Sequence, residues 1–356
     1  MKRKIVSTLT VDDAPTADRL SIPRCEHGDA LRFSRVDKSS GSAREFYACS
    51  ANRDRKVCSL FYWVDDWERK LRKADGSGTS QSTLVCPGSR TKKTRGDDTL
   101  GIDALVDNST NAQFLFDQES ISVMCQIILE SISRSESKRV LCIGTPSIHK
   151  ELLQSGTPSV LLDEDARLIG VLPNTQRFNV FNGESYGEAL PEDDFAAIVM
   201  DPPFHPELLP ALFRTAATSF PKSFKNLILF AFPYFNRTQV ISACPSVHMS
   251  DVRLTYRNHA KYKTGERSPV RLFTSTKVGH YLKTALGYTW CEQCEDLKHS
   301  SNKHCEVCNA CTTIAGTTPY AHCLKCSSCV KPNASHCDEC GKCFISAHPH
   351  THDRIS

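Results

Sequence analysis

The segment Phe195-Ala-Ala-Ile-Val-Met-Asp-Pro-Pro-Phe204 is the strongest indication of the fold class of this chain. Residues 195–200 form a short apolar run rich in β-formers, which predicts a buried strand of a parallel sheet. Residues 201–204 then lie where that strand emits its C-terminal loop. Open α/β sheets bind their ligands at this edge, so the sequence predicts a ligand site here.

The tetrapeptide Asp201-Pro202-Pro203-Phe204 carries the groups needed to hold a planar amino group. The Asp201 carboxylate and the Pro202 carbonyl can each accept a hydrogen bond from one N–H, and Phe204 can stack on the flat target. The two prolines fix φ and bias the preceding residues away from helix, which aims both acceptors into the cleft. A proline-terminated strand with a capping aspartate and a core phenylalanine gives the same residues, so the motif alone leaves two interpretations.

Further strand patterns surround this motif. Residues 139–144 predict a first strand that ends in a glycine turn, after a helix over residues 121–133. Residues 159–163 predict a second strand that ends in an acid, and residues 226–232 a further strand after a helix over residues 207–219. An acid at the tip of the second strand is placed to bind ribose hydroxyls in Rossmann-like sheets. This order resembles the layout of the class I S-adenosylmethionine-dependent methyltransferases. The predicted fold class is therefore α/β, a Rossmann-like class I methyltransferase domain flanked by small zinc-stabilised domains.

Composition predicts a multidomain protein without a membrane segment. The chain of 356 residues exceeds the usual size of one hydrophobic core, so two or three domains are expected. Its longest apolar run, residues 227–232, is far too short to cross a bilayer, and no apolar signal region follows Met1-Lys-Arg-Lys. These features predict an intracellular protein with no membrane partner.

Basic residues are concentrated in residues 253–283. This segment contains eight Lys or Arg residues against one acid, Glu266, although the formal net charge of the whole chain is only +4. Its interleaved rings offer faces on which nucleobases can stack: Tyr256, His259, Tyr262 and Phe273. The segment predicts an RNA-binding loop beside the tetrapeptide, and a solvated loop is the alternative.

The cysteine spacing in the C-terminal part indicates metal binding. Eleven of the eighteen cysteines fall between Cys291 and Cys343, in three copies of an H-C-x2-C-x2-C unit that begin at His304, His322 and His336. Zinc is bound tetrahedrally by thiolates and imidazoles, and C-x2-C lets one turn supply two ligands. A disulfide framework is disfavoured because no signal peptide is found.

The overlapping copies predict zinc sites with interleaved ligands. Three sites follow from the spacing: Cys291, Cys294, His304, Cys311; Cys305, Cys308, His322, Cys329; and Cys323, Cys326, His336, Cys343. A fourth site would use Cys337, Cys340, His348 and His350.

A further metal centre is predicted near the N-terminus. Cys25, His27, Cys49 and Cys58 supply three thiolates and one imidazole, which suffice for one closed structural site. The aromatic and basic residues around them suit a platform for single-stranded nucleic acid. They suit the core of a tiny domain equally well.

These patterns divide the chain into five predicted parts. They are a disordered tail over residues 1–20, a zinc finger over 21–69, a linker over 70–104, a methyltransferase domain over 105–287 and a Cys/His array over 288–356.

The chain resembles the zinc-finger CCHC-domain-containing ribosomal RNA adenine N6-methyltransferases over nearly its whole length. The resemblance is carried by the tetrapeptide at 201–204, the C-terminal array and these motifs: Cys25-Glu-His27, Phe46-Tyr-Ala-Cys-Ser-Ala51 and Arg53-Asp-Arg-Lys56 of a GRF-type finger, Thr110-Asn-Ala-Gln-Phe-Leu-Phe116, Arg139-Val-Leu-Cys-Ile-Gly-Thr-Pro146, Leu161-Leu-Asp163, Phe232-Pro-Tyr-Phe235, Asn258-His-Ala260 and Ser268-Pro-Val-Arg271.

The resemblance implies an enzyme that forms N6-methyladenosine in large-subunit ribosomal RNA, with S-adenosylmethionine and zinc as cofactors, in the nucleus, nucleolus and cytoplasm. It assigns catalysis to Asp201, Pro202, Pro203 and Phe204. It assigns cofactor binding to Gln113, Phe114, Leu115, Phe116, Gly144, Asp163, the turn of Asn179, Val180, Phe181 and Asn182, and Asp201.

Two departures from the family pattern stand out. Cys86 is almost alone in the linker where family members can carry a C2H2 finger, and His350 stands where the family has a cysteine. The first puts a substrate contact in doubt, and the second weakens the fourth metal site.

Other functions remain open at this point. One is an RNA-binding zinc-finger protein with an inactive methyltransferase fold, and another is an adenine or glutamine methyltransferase that acts on a different substrate. The tetrapeptide at 201–204 together with Asp163 favours a catalyst, since a mere binder needs neither. The zinc patterns and the basic segment favour RNA as the substrate.

Overall fold

The computed structural model describes residues 22–36, 42–52, 54–75, 102, 113–259, 268–285, 287–313 and 318–345. The predicted tail, Cys86, His348 and His350 lie outside these ranges. No helix in the described part of the chain is long and apolar enough to span a membrane.

The N-terminal module is a small antiparallel β-structure followed by one helix. Its elements are β1 (Arg24–Cys25), β2 (Gly28–Asp29), β3 (Leu31–Val36), β4 (Ala43–Ala48), β5 (Phe61–Trp63) and α1 (Val64–Asp75). β1 pairs with β2, and β3, β4 and β5 form a three-stranded sheet. The helix α1 runs past the predicted boundary at residue 69 into the predicted linker. Ile102, also in that linker, is buried in the core of the next domain.

The central domain alternates strands and helices. Its elements are α2 (Gln118–Ser133), β6 (Val140–Ile143), α3 (Pro146–Gln154), β7 (Ser159–Asp163), β8 (Thr175–Arg177), β9 (Ala197–Met200), α4 (Leu209–Ser219), β10 (Leu227–Pro233), α5 (Arg237–Ala243), β11 (His248–Arg253) and β12 (Val270–Thr274), with short 3-10 turns between them. Helix α2 begins where the Asp117 carboxylate accepts a hydrogen bond from the Ser120 N–H, an N-cap that satisfies an otherwise unpaired donor.

One seven-stranded sheet runs through this domain in the order β8-β7-β6-β9-β10-β12-β11. The first five strands are parallel, and β12 pairs antiparallel with both β10 and β11. β6 and β9 are neighbours at the centre of the sheet. The strands β7 and β8 follow β6 on one side, and the strands after β9 lie on the other side. The crevice at the carboxyl ends of β6 and β9 is therefore the switch point at which such sheets bind ligands.

The residues of β10 show how the sheet is buried on both faces. All seven are buried, which is the pattern of a strand covered by helices on either side. Leu227 and Leu229 belong to the core that contains α2, whereas Ile228 and Phe230 belong to the core that contains α4. The two cores alternate along the strand because successive side chains point to opposite faces. The Rossmann-like class I methyltransferase fold predicted from the sequence is confirmed.

The described residues of the C-terminal array, 288–313 and 318–345, form four two-stranded hairpins. They are β13 (Tyr288–Cys291) with β14 (Asp296–His299), β15 (His304–Cys305) with β16 (Ala310–Cys311), β17 (Ala321–Cys323) with β18 (Ser328–Val330), and β19 (Ser335–Cys337) with β20 (Lys342–Phe344). In each hairpin, the residue after the second cysteine of C-x2-C has a positive φ: 49° at Glu295, 47° at Asn309, 49° at Ser327 and 62° at Gly341. Three of the four are not glycine, so the turn holds them in a backbone conformation that L-residues rarely adopt.

Candidate active site and metal centres

The tetrapeptide lies at the carboxyl end of β9, as its pattern requires. Ile143 of β6 pairs with Met200 of β9, so the residues that follow, Gly144 and Asp201, are neighbours. Gly144 has φ +64°, and a Cβ on it would lie 3.1 Å from the Asp201 carbonyl oxygen. A glycine at this position therefore allows both the turn and the close approach of the two strand ends.

The Tyr256 hydroxyl donates a hydrogen bond to the Asp201 carboxylate, at 2.8 Å from Oδ1. Burial raises the pKa of Asp201 well above its ordinary value; the bond from Tyr256 lowers it, and the nearby charge of Asp163 raises it. Tyr256 is itself fixed, because its ring is buried and stacks on Phe116 at 4.8 Å. The hydroxyl thus holds one oxygen of the carboxylate in a defined orientation.

Asp163 ends β7 and is almost fully buried. Its Oδ1 accepts hydrogen bonds from the Gln113 side chain at 3.1 Å and the Asp165 N–H at 2.9 Å. Its Oδ2 is buried and has no hydrogen-bond partner among the described residues. Burial raises the pKa of Asp163 to about 7. A buried acceptor with no protein partner is a position for a ligand hydroxyl.

A cavity of about 460 Å³ joins these groups, a volume within the range for small-molecule sites. The predicted site residues on its wall are Gln113, Phe114, Gly144, Asp163, Asn179, Val180, Phe181, Asp201, Pro202, Pro203 and Phe204. The structure thus brings most of the predicted cofactor and catalytic residues to one crevice.

Three residues predicted to bind the cofactor do not line this cavity. Leu115 is fully buried in the core, and Phe116 is held in the core against the ring of Tyr256. The Asn182 side-chain amide donates to the backbone of the N-terminal module, at the carbonyls of His27 and Asp29. Core packing and the module occupy these three side chains, so the structure does not place them on the cavity wall, and their part in cofactor binding stays a prediction.

Tyr256 and His259 line the cavity, although the sequence predicted them as RNA-stacking residues of a basic loop. The Phe114 ring lies 4.5 Å from His259 and 6.2 Å from Tyr256, and Phe204 lies 6.3 Å from Tyr256. Asn258 secures this arrangement, because its side chain accepts from the Leu115 N–H at 2.8 Å and donates to the Gln113 carbonyl at 2.6 Å. In the sequence, the family motif Asn258-His-Ala260 was the signal that these residues belong to the active site.

The sequence predicted a continuous loop over the basic segment 253–283, but the described residues of this segment include the strand β12. Within it, Arg271 and Phe273 belong to the buried strand β12, and the Arg271 guanidinium donates to the carbonyls of Ser268 and Val270. Those two residues therefore stabilise the core and do not face RNA. Arg257, Lys277 and Lys283 are exposed, and residues 260–267 lie outside the described ranges.

The N-terminal Cys/His group is assembled from distant parts of the module. The ligand atoms of Cys25, His27, Cys49 and Cys58 all lie within 4.8 Å of one another, and all four residues are buried. Cys25 Sγ is 3.8 Å from Cys49 Sγ and 3.7 Å from His27 Nδ1. A tetrahedral zinc ion with Zn–S bonds of about 2.3 Å places its sulfurs about 3.8 Å apart, so these distances suit zinc.

The C-terminal array brings together the three interleaved sets predicted from the spacing. They are Cys291, Cys294, His304, Cys311; Cys305, Cys308, His322, Cys329; and Cys323, Cys326, His336, Cys343. One sulfur pair in each set lies close together: Cys291 and Cys311 at 3.7 Å, Cys308 and Cys329 at 3.7 Å, and Cys326 and Cys343 at 3.4 Å. None of the seventeen described cysteines forms a disulfide. Cys337 and Cys340 form the turn of the last hairpin, but their predicted partners His348 and His350 lie outside the described residues.

Comparison with known proteins places this site in a family. A family model described as "Probable N6-adenine methyltransferase" matches residues 107–305. The rRNA N(6)-adenosine-methyltransferase ZCCHC4 of Homo sapiens is 32% identical, over 85% of this chain and 73% of its own length. The protein of that name from Xenopus tropicalis is also 32% identical, over 80% of this chain and 73% of its own length.

Proposed function

The chain belongs to the N6-adenine methyltransferase family, and on that premise we propose that it methylates N6 of an adenosine in large-subunit ribosomal RNA. The observation that carries the proposal is the single cavity that joins Asp201-Pro202-Pro203-Phe204 to Gly144 and Asp163. One side offers acceptors for an amino group, and the other offers an acceptor for a ribose hydroxyl.

The donor side fits S-adenosylmethionine. Asp163 Oδ2 is a buried acceptor that lacks a partner among the described residues, as a ribose-binding carboxylate would. Gly144 lets the backbone approach a ligand closely, and Gln113 orients the Asp163 carboxylate through its other oxygen. When bound, this cofactor supplies a methyl group activated by a positively charged sulfur.

On the acceptor side, Asp201 orients the amino group of the target base. Tyr256 holds Oδ1, and Asp201 together with the Pro202 carbonyl can accept the two N–H bonds of the amine. These bonds draw the nitrogen lone pair out of conjugation with the ring and towards the methyl group. The nitrogen loses a proton readily once it carries the methyl group, so Asp201 contributes mainly by positioning and electrostatics.

The rings at the acceptor side suit a flat base. Phe114 is 43% exposed at the cavity wall and lies beside His259, while Phe204 lies across from Tyr256. An adenine N6 inside a helix cannot reach a methyl donor, so the target adenosine must be unstacked before it enters. Phe204, which lines the cavity, is the stacking partner that we propose.

We further propose that zinc occupies the four Cys/His groups. Each offers three thiolates and one imidazole at tetrahedral spacing, a closed set with no open position for catalysis. The zinc ions are therefore structural, and they replace the hydrophobic core that such short hairpins lack.

A methyl-transfer assay on purified large-subunit ribosomal RNA tests the function, with the modified nucleoside mapped by mass spectrometry. We expect N6-methyladenosine at one position with wild-type protein and none with Asp201→Ala. RNA that is bound but never methylated would instead favour the inactive RNA-binding protein. Methylation of DNA or of a protein glutamine alone would contradict RNA as the substrate.

A further inference from the structure

The N-terminal module supplies part of the cavity wall. Ala51, two residues beyond the metal-pattern residue Cys49, lines the cavity directly. Leu31 of the module and Phe178 and Val180 of the catalytic domain share one hydrophobic core. The module is thus packed against the segment that forms the donor side of the cavity.

Two asparagines of the turn over residues 179–182 bind the backbone of the module. The Asn179 amide donates to the His27 carbonyl at 3.1 Å and the Ser50 hydroxyl at 2.8 Å. The Asn182 amide lies 2.9 Å from three acceptors, which are the His27 carbonyl, the Ser50 hydroxyl and the carbonyl of Asp29. His27 belongs to the Cys/His group, so the turn is hydrogen-bonded to the backbone of a candidate metal ligand.

Gly28 permits this close contact. Its φ is +88°, and a Cβ on it would lie 2.7 Å from Asn182 Nδ2 and 2.7 Å from Glu184 Cβ. Any other residue would be strained and would push the two surfaces apart. An ion pair between Arg24 and Glu184 closes the same contact.

The same asparagines shape the turn from within. Asn179 Oδ1 accepts from the Phe181 N–H at 3.1 Å, and Asn182 Oδ1 accepts from the Glu184 N–H at 3.0 Å. Each side chain therefore ties the local fold of the turn to the module. Val180 and Phe181, which lie between them, are on the cavity wall.

We propose that the N-terminal module, folded around its metal ion, holds the turn over residues 179–182 in the shape that binds S-adenosylmethionine. Metal occupancy at Cys25, His27, Cys49 and Cys58 then sets the affinity for the methyl donor. Asn182 is a positioning residue, since its side chain acts through the turn. This inference rests on the proposed function, because it takes S-adenosylmethionine as the ligand of the cavity.

Titration calorimetry of full-length Asn182→Ala with S-adenosylmethionine tests the contact. We expect the dissociation constant to rise about tenfold, the effect of losing roughly 1.4 kcal/mol of hydrogen bonding. The turnover number at saturating cofactor should stay within about twofold of wild type, because the acceptor side is untouched. Zinc content and the melting temperature show whether the variant is folded.

Asn302→Ala is the matched control. Asn302 is buried, whereas Asn182 is half-buried, and its amide ties the C-terminal array to the domain by donating to Asp251 Oδ2 and the Thr313 carbonyl, both at 2.8 Å. Its hydrogen-bond partners lie outside the turn over residues 179–182, so we expect the cofactor affinity of this variant to stay within about twofold of wild type.

Two further variants approach the contact from the module. Gly28→Ala should weaken cofactor binding as Asn182→Ala does, and Ser50→Ala is a milder change that removes one shared acceptor without adding bulk. Wild-type affinity in folded Asn182→Ala and Gly28→Ala would overturn the inference. Failure of the wild-type protein to bind S-adenosylmethionine would instead overturn the proposed function.

Discussion

The two Cys/His regions use the same ligand set in different surroundings. All four residues of the N-terminal group are buried, and Cys49 is only 1% exposed. All twelve residues of the three C-terminal groups are partly exposed. Leu324, between two ligands of the third of these groups, is 82% exposed. The cysteines of the N-terminal group lie in a small core of their own module with Ala30 and Leu60, whereas the C-terminal groups stay partly open to solvent.

The attachments of the two regions differ in the same way. The N-terminal module is bonded to the turn on the cavity wall, whereas the first C-terminal hairpin is bonded to the edge strand β11. There the His299 N–H and the Asn302 amide donate to Asp251, and the Arg253 N–H donates to the Tyr288 hydroxyl. We therefore expect the N-terminal metal site to influence cofactor binding more than the C-terminal sites do, because its module is bonded to the turn on the cavity wall, whereas the first C-terminal hairpin is bonded to β11.

The largest expected effect comes from breaking one metal ligand in each region. In Cys49→Ser, we expect S-adenosylmethionine binding to fall below detection, because structural zinc contributes on the order of 10 kcal/mol to the fold of such a module. In Cys326→Ser, we expect cofactor affinity to stay near wild type while RNA binding weakens. Calorimetry and filter binding measure the two affinities.

Elemental analysis of the same proteins provides the control. Wild type should contain at least four zinc ions per chain, and each variant at least one fewer. Equal loss of cofactor binding in both variants would show that the two regions do not differ in their influence on the cofactor site. A wild-type content of one zinc ion or none would contradict the metal assignment.

Asp201→Ala should abolish the chemistry without disturbing either metal region. We expect turnover to fall by about 1,000-fold, as for loss of a positioned electrostatic group. Zinc content and melting temperature should match wild type. Near-wild-type methylation by this variant would remove the catalytic role of the tetrapeptide.

The affinity for S-adenosylmethionine should depend on pH through the Asp163 carboxylate. Burial raises the pKa of Asp163 to about 7, and a ribose hydroxyl donates best to the carboxylate, so affinity for the cofactor should be lost as pH falls through that value. Between pH 8 and pH 6 the ionised fraction drops about tenfold, and the dissociation constant should rise by about that factor. Calorimetry across this range, with Asp163→Asn as the control, measures it. A flat profile for wild type would contradict the assigned carboxylate.

The smallest expected effect comes from removing the hydrogen bond between Tyr256 and Asp201, which lies between the C-terminal array and the cavity. Tyr256 follows β11, the strand to which the array is bonded, and its hydroxyl is the group that reaches Asp201. Tyr256→Phe keeps the ring and removes a hydrogen bond worth about 1 kcal/mol, so we expect about a fivefold loss of turnover. Because that bond lowers the pKa of Asp201, its loss should move the acidic limb of kcat/KM to higher pH. An unchanged pH profile would leave Tyr256 with a packing role alone.

The fold could be predicted because its signals are local. The apolar runs at β6, β7, β9 and β10 have the length and composition of buried strands, and the residues that follow them mark the ligand edge. Strand β12 was missed because Arg271 interrupts its apolar pattern. Burial of that arginine is offset because carbonyls of its own loop and strand accept its hydrogen bonds.

The succession of the strands β6, β7, β9 and β10, the acids at the ends of β7 and β9 and the interleaved Cys/His sets can be predicted from sequence alone, because each depends on a short local pattern. Which side chains meet across the chain depends on the tertiary structure. The Tyr256 hydroxyl reaches Asp201 across 55 positions of sequence, and the Asn179 amide reaches the His27 carbonyl across 152. Such bonds depend on how whole elements pack, and hydrogen-bonding groups leave no periodic signature of the partner that packing gives them.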